Sequence, residues 1–146
     1  MTRAPPAGRA RRGRGYRDEV DGDDDRAAER TPEQFFDGYP EGLQVYEAVE
    51  RAIRSIGDAA VRVTKSQIAF RRRKGFAFVW RPGQYVASTV PAVLSIALPH
   101  ESRSERFKEV VHPSAAVWMH HIELGAPEEV DAEVRRWLAT AYDNAA

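Results

Sequence analysis

Two kinds of side chain in this sequence have the types and spacing to do chemistry: cations gathered in runs, and histidines gathered in the C-terminal third. Arg71-Arg72-Arg73-Lys74 is the densest cationic run, and it sits inside the densest apolar alternation of the chain, Val61–Trp80. Cations beside aromatic side chains neutralise phosphates and carboxylates, so the chemistry on offer is anion binding. Lys65 follows Val61 and Val63 in strand phase, and Arg72 follows Ile68 and Phe70 in the same way, which directs both toward the covered side of a sheet. Arg103, Arg106 and Lys108 line the polar stretch ahead of His112. Brought together by a sheet, Lys65, Arg72, Lys108, His120 and His121 would form a pocket for an anion. The alternative is a set of separate surface ion pairs with the abundant acids, each worth little.

The histidines offer metal chemistry in principle. His120 and His121 are adjacent, however, and on a strand they point to opposite faces. His121 and Glu123 share a face, and with His112 they would supply two histidines and a carboxylate to a metal, yet the spacing matches no zinc motif. The chain has no cysteine, which removes disulfides, thiol catalysis and the usual zinc frameworks. None of its serines sits in a nucleophile elbow, and there is no glycine-rich phosphate loop. Glu101, Glu105 and Glu109 recur every four residues like a solvated face rather than a catalytic pair. No catalytic residue, metal or cofactor is therefore expected, and an enzyme reading has no anchor.

The elements that must position these groups are legible from periodicity. Thr31-Pro32-Glu33-Gln34 has the pattern of a capping box, with Pro32 at the first helical position. Val45, Val49, Ala52, Ile53 and Ile56 recur at helical spacing and predict a helix over Leu43–Ile56, ended by Gly57. Val61–Trp80 alternates with period two and predicts strands flanking the basic turn, with Gly75 supplying the free backbone of a hairpin. Val90–Leu98 reads as a strand buried on both faces, and Phe107–Val111 as a short edge segment or turn. His112-Pro113-Ser114 reads as a break, and Val117–Leu124 as the last strand. A closing helix over Glu128–Ala141 carries the stripe Val130, Val134, Trp137, Leu138 and Ala141, with Trp137 as its core anchor. Strands between terminal helices predict an α+β domain: an antiparallel sheet of about four to five strands with amphipathic helices at both ends.

Not all 146 residues belong to that domain. Residues 1–17 hold six arginines and no acid, whereas residues 18–29 hold seven acids and one arginine. Beyond Tyr16 and Val20 this segment has almost no large apolar side chain, so residues 1–30 are expected to be a disordered charged tail ahead of a single domain at 31–146. The domain carries 14 basic and 15 acidic side chains, a balance that disfavours a dedicated nucleic-acid binder. The longest apolar stretch is too short to span a bilayer, and no apolar region follows Arg11-Arg12. A cytoplasmic protein is expected.

Val61–Trp80, joined to Arg106–Val111, Trp118–Leu124 and Glu133–Leu138, resembles an uncharacterised bacterial domain of unknown function, common in actinobacteria as a small stand-alone protein. The resemblance covers about Thr31–Tyr142. It implies an antiparallel sheet between terminal helices and carries over no catalytic residue. The expected function is a non-catalytic binding or accessory module for an anionic ligand or an acidic protein segment. A nucleic-acid-associated accessory domain and a small metal-dependent hydrolase are the alternatives. Deleting residues 1–30 should leave the melting temperature within a few degrees, because few core contacts are lost; calorimetry of the truncated chain checks this.

Overall fold

The structure, a computed structural model, describes residues 30–146. The tail expected to be disordered lies, apart from Arg30, outside the described residues.

The capping box forms at the start of helix α1 (Pro32–Phe35): the Thr31 hydroxyl accepts from Gln34 N, and the Gln34 side chain accepts from Thr31 N. Helix α2 (Pro40–Ile56) begins one turn earlier than its apolar stripe suggests, because Pro40 fits the first helical turn. It ends at Gly57, whose N–H donates to Ile53 O. A Cβ on Gly42 would meet the Phe36 ring and come within 2.9 Å of Pro91 O, so a glycine is what lets the chain ahead of the fourth strand pass the start of α2.

Six antiparallel strands follow: β1 (Ala60–Val63), β2 (Ile68–Arg71), β3 (Gly75–Trp80), β4 (Ala92–Leu98), β5 (Phe107–Ser114) and β6 (Val117–Leu124). Their spatial order is β1-β2-β3-β4-β6-β5. The fold class is α+β as expected, with six strands rather than four to five. Val61–Trp80 yields three strands, with the basic turn between the second and third. Thr64 breaks the run by a local turn, its hydroxyl accepting from Ser66 N and Gln67 N. The segment His112–Ser114 was read as a break but continues β5, since on an edge strand Pro113 can point its missing donor outward.

Helix α3 (Ala132–Asn144) closes the domain after a 3-10 turn at Pro127–Glu129. Its N-cap is Asp131, whose carboxylate accepts from Val134 N, so the helix starts later than Glu128. α2 and α3 cover one sheet face through a core that includes Val49, Ile53, Ile68, Phe70, Leu94, Ile122, Val134 and Leu138. The register aligns that face across strands: Phe70 pairs with Ala77 and Ala77 with Ile96, while Val79 pairs with Leu94 and Leu94 with Ile122.

Because β6 lies between β4 and β5, residues 99–106 must cross β6. Arg106 secures the end of that crossing, its guanidinium donating to both oxygens of Asp131, to Glu133 Oε1 and to Glu129 O at 3.0–3.1 Å. Burial would raise the Asp131 carboxyl, but the Arg106 hydrogen bond and charge and the Val134 N–H hold it below its usual value.

Trp137 corrects one expectation: it is only partly buried, its ring 4.4 Å from that of Phe107, whereas Leu138 is fully buried. Trp137→Ala should therefore cost about 2 kcal/mol, less than the roughly 3–5 kcal/mol of a buried aromatic and less than Leu138→Ala. Urea denaturation of the two variants checks the order.

Candidate functional site

The five side chains expected to share a pocket are dispersed. Lys65 is not in the inward strand phase: β1 ends at Val63, and Lys65 is an exposed residue of the β1–β2 turn. Lys108 lies on β5 at the opposite edge of the sheet, about 20 Å away at the usual strand spacing. Arg72 lies in the β2–β3 turn, at the other end of β2 from Lys65, and is exposed. His120 and His121 face opposite sides of β6.

The basic turn serves the fold. Arg72 Nη1 donates to Tyr142 O at 3.0 Å while its guanidinium lies 4.1 Å above the Tyr142 ring. Arg73 N and Lys74 N both donate to Ala145 O. These groups satisfy carbonyls at the C-terminus of α3, the end where a helix favours positive charge.

His120 is wholly buried on the helix-covered face and spends both ring nitrogens. Nε2 accepts from Ser102 N at 2.9 Å, so Nδ1 carries the proton and donates to Trp118 O at 3.0 Å. Ser102 belongs to the segment that crosses β6, which makes His120 its anchoring peg. Burial holds the ring below the ordinary histidine pKa.

His121 organises the other face. Trp80 Nε1 donates to Ser95 Oγ at 2.8 Å, and Ser95 Oγ and His121 Nδ1 share a hydrogen bond at 2.6 Å. Ser95 pairs with His121 across the strands, and His121 with Glu109, so the row has the residue types of a serine–histidine–acid triad. Ser95 is 0 % exposed and its oxygen is engaged by both Trp80 and His121, so no substrate carbonyl reaches it. The relay is structural. Sequence reading passed over Ser95 because its partner is fixed only by the β4–β6 register.

A different cluster stands out at the opposite end of α2 from the basic turn. The exposed large hydrophobics of the described residues are Tyr39 (46 %), Tyr85 (36 %) and Val86 (39 %). Arg81 lies 3.7 Å over the Tyr39 ring, and Tyr85 packs edge-on to Trp80 at 5.7 Å. Tyr85 and Val86 are held by N–H bonds to Pro82 O, and Gln84 Nε2 donates to Lys65 O at 2.9 Å. Through that bond the β1–β2 turn, which carries Lys65, is tied to the connection that follows Arg81, at the other end of the sheet from Arg72. Gly83 makes room for the arrangement, since a Cβ there would stand 2.8 Å from Arg81 Nη1. The signal available in the sequence was Arg81-Pro82-Gly83 followed by Tyr85-Val86, a turn displaying apolar side chains.

The His121 pKa is pushed down from 6.5 to about 4, by burial first and by the neighbouring His120 second. Its folded value lies below its unfolded one, so its contribution is complete above pH 6.5 and is lost as pH falls toward 4. The shift corresponds to about 3 kcal/mol. Urea denaturation between pH 7 and pH 4 should show that loss, and a His121→Gln variant should flatten it; the folded-state ring signal of His121 should stay neutral down to about pH 4.

Among the described residues no helix is long and apolar enough to cross a membrane. Comparison with curated proteins and with solved structures found no match. The arrangement of the sheet and its two long helices falls within residues 33–145, and over that span the chain matches, and belongs to, the family described as a domain of unknown function (DUF5655).

Proposed function

We propose that this domain is a non-catalytic, cytoplasmic binding module that recognises an acidic protein segment at the Tyr39–Arg81–Tyr85 end of its sheet. The observation that carries this reading is the Arg81 guanidinium stacked on the exposed Tyr39, at the start of the same connection that displays Tyr85 and Val86. Aromatic residues and arginine are the types enriched at protein interfaces, and a concentrated apolar patch is unusual on a surface without a partner. Stacking on Tyr39 fixes the Arg81 guanidinium without using its in-plane donors, which suit paired hydrogen bonds to a carboxylate. Among the described residues Arg81 forms no ion pair. Lys65 adds positive charge at the same end.

A second reading keeps the exposed Arg71, Arg73 and Lys74 as a contact for nucleic acid. One experiment separates the two. Fluorescein-labelled polyglutamate and a single-stranded oligonucleotide are titrated into a full-length chain in which five of the seven acids of residues 18–29 are neutralised, with Asp18, Asp21, Asp23, Asp24 and Asp25 each replaced by Asn. Polyglutamate should bind in a salt-sensitive way, and Arg81→Ala or Tyr39→Ala should weaken it roughly tenfold, with Arg73→Ala and Lys74→Ala neutral. Binding lost with Arg73→Ala and Lys74→Ala but intact with Arg81→Ala would move the site to the basic turn, and no binding of polyglutamate would overturn the proposal.

A further inference from the structure

The chain itself contains a segment with the chemistry that this patch selects. Tyr16 and Val20 are nearly the only large apolar side chains ahead of Arg30, and they are followed and interleaved by Asp18, Glu19, Asp21, Asp23, Asp24 and Asp25. An aromatic, an aliphatic residue and a run of carboxylates complement Tyr39, Tyr85 and Val86 beside Arg81 and Lys65. Residues 18–29 hold seven acids and one arginine, a net charge of −6, whereas the rest of the described domain is near neutral.

Chain position adds to the match. The described residues begin at Arg30, directly before α1, and Tyr39 is the residue that leads into α2. Asp25 is five residues from Arg30, a span of at most about 17 Å. The exposed basic turn at Arg71–Lys74 is the competing cationic surface. It lies beside Tyr142, whose hydroxyl donates to Asp58 O just past the C-terminus of α2. The 17 residues of α2 therefore separate it from Tyr39 by about 25 Å. A short tether gives the nearer surface an effective concentration of order millimolar, so even weak contacts are populated there.

We infer that the segment Tyr16–Asp25 docks on the Tyr39–Arg81–Tyr85 patch and acts as an internal competitor for the acidic partner. This inference rests on the binding reading above and adds a regulatory role for the chain's own acids. A partner gains access by displacing the segment. Salt weakens both contacts, since Arg81 and Lys65 stand at the surface, within the reach of screening ions.

The absence of cysteine from the chain allows a direct test. Gly22→Cys introduces a unique thiol for a nitroxide spin label in the full-length protein. The amide signals of Tyr39, Arg81 and Val86 should lose most of their intensity at low salt and recover it at about 0.5 M salt. Loss centred on Arg72–Lys74 would place the acids on the basic turn and overturn the inference, as would no localised loss at all. The second measurement compares polyglutamate binding by the unmodified chain and by the chain with the five Asp→Asn replacements. The unmodified chain should bind roughly tenfold more weakly, and Arg81→Ala should remove the difference. Equal affinity in the two chains overturns the internal competitor and leaves the binding function standing, whereas no binding by either overturns both.

Discussion

Two adjacent histidines on β6 tie the layers of this domain together, and they do so only as neutral rings. The pleat sends His120 to the helix-covered face and His121 to the other. His120 holds the segment that crosses β6, through Ser102 N, and its ring also packs against Phe107. His121 is hydrogen-bonded to Ser95 Oγ, which in turn accepts from Trp80 Nε1. A proton on His120 Nε2 would repel the Ser102 N–H, and a second proton on the His121 ring would place a charge in a buried site. Burial prevents both near neutral pH by making a charged ring costly. The same pairing that looked like a metal or anion site in the sequence is thereby committed to the fold.

The basic turn illustrates a related conversion of apparent chemistry into architecture. Four consecutive cations suggest a ligand, yet the geometry sets Arg72, Arg73 and Lys74 against the last carbonyls of α3. Carbonyls in the last turn lack the regular partner four residues on, and the helix end is negative; Tyr142 O accepts from both Arg72 and the C-cap Ala145 N. α3 has no basic residue in its last turn. The cations that its C-terminus favours are supplied instead from a hairpin about seventy residues away in sequence, a contact that binds the last helix to the sheet.

What was legible in the sequence follows from the range of the interactions involved. Period-two and helical stripes report a local face, so β4, β6, α2 and α3 were recognisable from Leu94, Ile96, Ile122, Ile53 and Leu138. The split of Val61–Trp80 into three strands was hidden, because the Thr64–Gln67 turn is made by a threonine hydroxyl rather than by a Gly-Pro signal. The continuation of β5 through Pro113 was hidden because the tolerance of a proline depends on which strand lies at the edge. The candidate site was the least legible part. Tyr39 and Arg81 lie over forty residues apart, and their stacking exists only once α2 is laid along the sheet.

The fold also decides where recognition can occur. One face of the sheet is covered by α2 and α3, and the other is closed around Trp80, Ser95 and His121, all nearly inaccessible. Both edges are blunted: β1 has four residues, and β5 is irregular in register and carries exposed Lys108 and Pro113. Strand addition at either edge is therefore disfavoured. The basic turn is engaged with α3 through Arg72 and the backbone of Arg73 and Lys74. The β3–β4 connection is different, because its side chains Tyr85 and Val86 stay partly exposed although its backbone is held by Pro82 O. Leaving them partly exposed forgoes some of the hydrophobic stabilisation that full burial would give. Arg81 on Tyr39 sets a positively charged group at the same connection, so on the proposed reading carboxylates, and not apolar groups alone, are what this end of the sheet favours.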